Sequence, residues 1–465
     1  MRESTTRALI TAITVLAAIT ATSCGDAERR WSTAALLDDE LGQIACGGDV
    51  AMDAHGTAVA VWCRHAANYQ GSVWASRFIR GEGWGPATRI DAANGGTEVS
   101  NPSLAVNAAG QAISAWSKYN GSSWGVWAAR FDPSAGWDEP VLLDESGWAS
   151  SVALDNHGRA TAVWTRNDDA YNGSIWTSSH EPSTGWGSTT RLDNDLIVQV
   201  GFEQGPDGEE FVVAGGASQP KVAVNDNGNA VAIWINYVSG SLWASPYVPG
   251  VGWGSPTLVV APAWSFTPSY VAMDEAGRTI AVNLDGRANS YSPTDGWSTV
   301  ILGSGDYTTS AANVAMAKNG RALVVWKEKR EGRRLDLRAS HFSTETGWST
   351  PETVGEADDD VFSYGDWTGS DVAINDSGEI IAVWHREEGE YSEELQLPRF
   401  SVWTNRFEPN VGWGKPTALA VDDLLHAFSP RLAMDEQGRG IATWQQAEGS
   451  LSNGGQRSLW WTRFE

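Results

Sequence analysis

The sequence predicts an all-β chain, about eight four-stranded antiparallel blades in one ring, closed by an N-terminal strand that completes the last blade. Three observations predict it. One unit recurs eight times between Val50 and Thr443: an apolar triplet, a tight polar turn closed by Gly, then an alternating run ending in Trp. The first copy reads VAMDAHGTAVAVW, and the others begin at Leu104, Val152, Val222, Val271, Val314, Val372 and Leu432. A fixed period of about 50 residues marks a repeat architecture, here a β-propeller. Each unit holds four short β segments, with no sustained helical periodicity. The ends are complementary. The last unit stops at Glu465 without its fourth strand, and Arg30-Trp31-Ser32-Thr33 matches the fourth-strand openings at Trp297 and Trp348.

The second unit shows the elements in order: Ser103 to Asn107, Gln111 to Trp116, Trp124 to Phe131, and Trp137 to Asp144. The first two segments are apolar at nearly every residue, as strands buried on both faces are. The fourth carries Pro86, Pro140, Pro256, Pro351 and Pro416 in its several copies. Proline is tolerated on an edge strand, so the first strand is expected innermost and the fourth outermost. In the fifth unit Asn283 replaces the first Trp, which allows a miscount by one. Tryptophan otherwise recurs at the end of the second strand, within the third and at the start of the fourth. These positions predict packing between blades.

The domain limits are 1–23 for a signal segment, 24–29 for a tether and 30–465 for one ring. Arg2 and Arg7 flank a short N-terminal region, and Ala8 to Ala21 form an apolar stretch too short to span a bilayer. Ala21-Thr22-Ser23-Cys24 resembles the lipobox of bacterial lipoproteins. The resemblance implies that Cys24 is lipidated and anchors the chain to a membrane. Gly25 follows where an Asp retains some lipoproteins in the inner membrane, so the outer membrane of a Gram-negative cell is implied. The alternative is an ordinary secreted protein.

Of the three cysteines, Cys46 and Cys63 remain. If Asp53 and Gly56 end a four-residue turn, an unbroken hairpin sets them opposite each other, and outside the cytoplasm they can pair. A bulge at Gly47-Gly48 shifts that register, and two inert thiols are the alternative.

The first-to-second and third-to-fourth turns are uniformly short and share one face. The other connections vary and share the opposite face. The longest run from Asp193 to Pro220, Val354 to Asp371 and Trp384 to Val402. Loop variation on a rigid ring is where binding concentrates. Trp124, Trp148, Trp264 and Trp367 fall in or beside these connections, outside the repeat register. They are candidate platforms for sugar rings or a protein partner, or they pack under their own loops. Two residues past the second-strand Trp stand the cations Arg64, Lys118, Arg166 and Arg386. They are candidates for holding an anionic group such as a carboxylate or sulfate. Pairing with Asp168, Asp169, Glu387 and Glu388 is the alternative.

The formal charge of −25 argues against nucleic acid and anionic lipid surfaces as partners. The seven His are scattered, with no zinc-type spacing. There is no phosphate-binding Gly loop. The acidic run Glu356 to Asp360 is weighed as a calcium loop and read as a solvated one. No metal or cofactor is called for. A pair of carboxylates for glycoside chemistry stays open.

The Asp-x-x-Gly turn loosely resembles the Ser-x-Asp-x-Gly box of sialidase-like propellers. The layout of Trp-rich strands after a Gly turn resembles bacterial propeller lectins. Closest is the resemblance to repeat-bearing lipoproteins of Gram-negative bacteria, which implies fold and address but no activity. The expectation is a non-catalytic, lipid-anchored envelope protein that binds carbohydrate or a protein partner through its variable-loop face. The rivals are an exported glycan-active enzyme, a sialidase-like hydrolase or lyase, and an assembly scaffold in an envelope complex.

Overall fold

A computed structural model describes residues 29–38, 44–65, 70–91, 98–169, 172–193, 199–204, 210–214, 216–236, 240–260, 269–282, 287–303, 309–329, 335–357, 369–392, 397–419, 425–448 and 457–465. Eight antiparallel sheets form the ring. Blade 1 pairs Ile44–Met52, Ala58–His65 and Gly71–Ile79 in order, with an outer strand in two pieces, Gly83–Trp84 and Thr88–Arg89. The inner strands of blades 2 to 8 are Glu98–Val106, Gly147–Leu154, Ala217–Val224, Tyr270–Met273, Thr309–Met316, Ser370–Ile374 and Leu425–Met434. These first strands touch one another in sequence around the ring, which makes them innermost.

The closure is as the termini predict. Ala35–Leu36 pairs with Arg457–Phe464, and Trp31 bridges Phe464, so the N-terminal strand completes blade 8. Without it blade 8 would present a bare third strand beside blade 1.

Each blade is hydrophobic on both faces, and the core lies between blades. Val50, Ala60, Trp62 and Phe78 of blade 1 pack on Ala433, Ile441 and Leu459 of blade 8. Trp62, Trp116, Trp164, Trp234, Trp326, Trp384 and Trp444 are all buried, one at each seam they serve. Truncating one such ring costs about 3–5 kcal/mol.

The short turns are fixed by their first residue. Asp53 Oδ1 accepts from the backbone N–H of His55 and Thr57, both at 2.8 Å. Gly56 closes that turn at φ +84°, and a Cβ there would lie 2.8 Å from Nη2 of Arg439 in blade 8. Glycine therefore supplies both the left-handed backbone and the space for a neighbour. Arg439 uses that space to donate to His55 O at 2.9 Å.

Two expectations need adjustment. The first and second strands of blade 2 run further toward the variable-loop face than read from sequence, to Glu98 and Tyr119. In blade 7 the connection from Trp384 to Val402 is largely paired chain, Ile380–Ser392 with Leu397–Glu408. The connection after Asp193 carries its own hairpin, Gln199–Gln204 with Glu210–Ala214.

The cysteine register is also one residue off, and is then restored. Met52 stands opposite Ala58 and Val50 opposite Ala60. That register alone would not align the cysteines. A bulge between Cys46 and Gly48 takes up one residue and sets Cys46 opposite Cys63. Cys63 is disulfide-bonded. Similar shifts interrupt the inner strands of blades 2, 3, 4, 6 and 8.

Candidate functional site

The four candidate cations sit on the loop-side half of each second strand, where they join adjacent blades. Arg64 donates from Nε to Asp38 Oδ2 at 2.8 Å, and Trp62 Nε1 donates to the same oxygen at 2.8 Å. The Arg64 guanidinium lies 4.0 Å from the Trp74 ring centroid. Lys118 Nζ pairs with Asp91 at 3.0 Å. Arg166 approaches Asp144 at 3.8 Å and stacks over Trp176 at 4.9 Å. Arg386 pairs with Glu356 at 3.3 Å and stacks over Trp403 at 4.7 Å.

Each of these partners ends the outer strand of the preceding blade. The side chains of Asp168, Asp169, Glu387 and Glu388, the partners expected from sequence, lie outside the described residues. The signal was present: Leu37-Asp38, Ile90-Asp91, Leu143-Asp144 and Leu192-Asp193 recur at that place in the repeat. Burial acts to raise the Asp91 carboxyl, but hydrogen bonds from Arg89, Val73 and Lys118 outweigh it and hold it below its ordinary value. The cations therefore act first as clamps between blades, each set between a carboxylate and, in three cases, an indole face.

Of the four off-register tryptophans, Trp264 and Trp367 lie outside the described residues. Trp124 opens the third strand of blade 2 and sits half-buried against Tyr119, ring centroids 5.5 Å apart. Trp148 lies at the loop-face end of the inner strand of blade 3, opposite Thr165, and is 38% exposed. Cys24 and the segment before it also fall outside the described residues. So does most of the acidic run after Glu356. Among the described residues, no three His, Cys, Asp or Glu side chains gather to hold a metal.

The structure brings together a set that the sequence reading missed. Directly before each apolar triplet the inner strand presents Asp49, Ser103, Ser151, Lys221, Tyr270, Asn313, Asp371 and Arg431, one per blade. The flanking residues repeat, while this position does not. The short side chains bond to the next blade. Asp49 Oδ2 accepts from Leu104 N at 3.0 Å, Ser103 Oγ from Val152 N at 3.2 Å, and Asp371 Oδ2 from Leu432 N at 2.9 Å. Asn313 donates to Ser370 O and to Asp371 Oδ1, both at 3.2 Å.

The long side chains act across the ring. Lys221 of blade 4 acts electrostatically on Asp49 of blade 1, and Tyr270 of blade 5 on Arg431 of blade 8. Interactions between such distant blades place these groups around the axis. Burial pushes the Asp49 carboxyl up, with Arg431 pulling it back. Burial pushes Asp371 up to about 6, and Arg431 and the N–H groups of Leu432 and Val372 oppose it. Burial works against the Arg431 charge, yet Tyr270, Asp371 and Asp49 hold that group above its ordinary value.

A second network spans the short-turn mouth. Asn156 of blade 3 bonds Asp226 of blade 4 at 2.6 Å, and Lys318 of blade 6 reaches Asp226 at 3.1 Å across blade 5. The axial cluster lies further along the inner strands: Lys221 stands four residues before Asn225, where that turn begins, about 13 Å at the usual rise per residue.

No family model matches the chain, and no curated protein sequence matches it significantly. Among solved structures it is similar to the BP39L lectin from Burkholderia pseudomallei, at 11% identity and a TM-score of 0.49 over 82% of this chain and 99% of that one. It is similar to the NanB sialidase from Streptococcus pneumoniae, at 10% identity and a TM-score of 0.41 over 88% and 84%. It is also similar to the Hadza microbial sialidase Hz136, at 11% identity and a TM-score of 0.42, over 73% of this chain and 63% of that one. Likeness of this degree carries no argument about function.

Proposed function

We propose that this protein is a non-catalytic binding protein of the cell envelope. Its ligand is a carbohydrate that approaches the axis from the variable-loop face. The observation that supports this is the axial set Asp49, Lys221, Tyr270, Asp371 and Arg431. It is a convergence of donors and acceptors at a position where the repeat does not hold. Carboxylates, a guanidinium and a phenol are the groups that bind sugar hydroxyls in pairs. Trp148, exposed at the loop-face end of blade 3, adds an aromatic face for a sugar ring. On the short-turn side, Asp226 bonds to Asn156 and Lys318 of other blades. Anchoring through a lipidated Cys24 in the outer membrane and a Cys46–Cys63 crosslink belong to the same proposal.

The test is a glycan array probed with the full chain and with Arg431→Ala and Trp148→Ala. Binding that falls at least tenfold in both variants supports the reading. Binding untouched by Arg431→Ala removes the axis from it, and an array silent with folded protein favours a protein partner. A second reading has its own observation. Asp371, with a pKa near 6, is an acid poised to give or take a proton near neutral pH, and Asp49 is a second enclosed carboxylate. That is the chemistry of a glycan-active enzyme. Release of reducing ends from a bound glycan, abolished by Asp371→Asn, would replace the binding-protein reading.

A further inference from the structure

Seven of the eight outer strands are interrupted. In blade 1 Trp84 pairs with Phe78, but Thr88 pairs with Ala75, so one extra residue bulges between them. Blades 2, 3, 4, 6 and 7 repeat this, and blade 8 breaks between Trp31 and Ala35. The bulge is held by a third-strand side chain: Ser76 Oγ donates to Gly85 O at 2.8 Å, Ser245 Oγ to Gly254 O at 2.8 Å, and Ser340 Oγ to Ser349 O at 2.8 Å. Proline lies at this break in blades 1, 2, 4, 6 and 7. Bulges and proline are the devices by which sheet edges avoid pairing with another chain.

Blade 5 has neither. Gly296–Ile301 pairs without interruption along Arg287–Ser292, from Gly296 opposite Ser292 to Ile301 opposite Arg287. Its counterpart of Ser76 is Asn289, whose Nδ2 donates to Ala281 O at 3.1 Å while its Oδ1 accepts from Thr299 at 2.8 Å. The residue that would kink the edge is committed elsewhere. Ser298, Thr299, Val300 and Ile301 are exposed, with Ile301 at 57%.

We infer that this edge is a homodimer surface: a second copy of the chain pairs with it edge to edge, Gly296–Ile301 antiparallel to the same strand. Three features choose a second copy as the occupant. An antiparallel strand is complementary to itself about a two-fold axis. The segment Gly296 to Leu302 carries no charge, in a chain of net charge −25, so two copies meet there without opposed carboxylates. Beside it, the outer strand of blade 4 adds Leu258, 44% exposed, to the apolar Val300 and Ile301. Six residues of edge and this small flank cover less than a standard interface. The dimer is therefore weak and reversible. Net charge repels the copies at long range, so added salt strengthens association, opposite to an interface built on ion pairs.

Sedimentation velocity of the full chain across a hundredfold concentration range, at low and high salt, tests this. The expected result is a dimer whose share rises with concentration and with salt. Val300→Pro puts proline where Pro140, Pro256, Pro351 and Pro416 already stand in their blades. Ile301→Lys puts a charge on the edge. Each is expected to lower the association constant at least tenfold, with the melting temperature and near-ultraviolet circular dichroism unchanged. Should Val300→Pro misfold, Ile301→Lys decides alone. A monomer under all conditions, dimers that persist in Ile301→Lys, or an edge that takes up only an added extended peptide would each overturn the inference.

Discussion

The clamp between blades 8 and 1 is a measurable part of ring closure. Asp38 belongs to the N-terminal strand, and its carboxylate takes Nε and Nη2 of Arg64 and Nε1 of Trp62. The Arg64 side chain is 2% exposed and that of Asp38 6%. Asp38→Ala removes the carboxylate bonded to a buried guanidinium, which costs about 3–5 kcal/mol. It also orphans the Trp62 indole N–H, worth about 1–3 kcal/mol. The two overlap, so about 4–6 kcal/mol is expected. Glu356→Ala is the internal comparison. Its partner Arg386 is 30% exposed and Glu356 itself 46%. Trp384 Nε1 bonds the backbone oxygen of Glu356, which truncation spares. That variant should lose no more than about 1 kcal/mol. Guanidinium unfolding followed by tryptophan fluorescence gives both numbers. Replacing Asp38 and Arg64 together by Leu and Met should recover most of the loss, because no lone charge is left buried. Equal costs for Asp38→Ala and Glu356→Ala, or an Asp38→Ala loss under about 1 kcal/mol, would refute the argument from burial.

Three further outcomes follow from single sites. The Asp371 carboxyl titrates near 6 when folded and near its ordinary value when unfolded, so the native state holds that proton more tightly. Its share of stability is present below the unfolded value and lost as pH rises through about 6, a change of up to about 3 kcal/mol; Asp371→Asn should flatten that limb in a plot of melting temperature against pH. Cys46→Ser should cost about 3 kcal/mol if it opens a crosslink to Cys63, and reductant should lower the wild-type midpoint equally while leaving the variant unmoved. Gly56→Val asks a β-branched residue to adopt φ +84° against Arg439, and a loss of about 2 kcal/mol or more by denaturant unfolding is expected; a neutral result would mean the blade 8 to blade 1 contact yields freely.

Much of the ring was legible because its determinants are local and recur. Asp53 and Gly56 fix a turn with their own side chain and φ, and Trp62 ends a strand that must fill a seam. Both sit at fixed places in the unit, so the turn glycine recurs in all eight copies and the tryptophan in seven. Strand register was less legible, since one bulged residue at Gly47 moves every pair beyond it. The pairing of Cys46 with Cys63 in register came from two departures that cancel, a turn one residue wider than expected and a bulge one residue deep. Arg64 and Lys118 were visible as an anomaly of charge, but their partners lie on the preceding outer strand, at the far end of a blade. Nothing in the spacing of a second strand reveals what the previous blade lays against it.

The axial set was hidden for the opposite reason. Repetition draws attention to what stays the same, and the packing residues stay the same because every seam has one geometry. At the axis no such demand exists, since inner strands face a shared space and not a standard neighbour. Asp49 and Asp371 still meet a packing need, capping an N–H of the next blade, as Ser103 does with a smaller group. Lys221, Tyr270 and Arg431 are half-buried there, larger and costlier to desolvate than the Ser or Asn that stands at this position in other blades. In a scaffold built from near-identical units, the residues that depart from the unit at a fixed position are where function is to be sought.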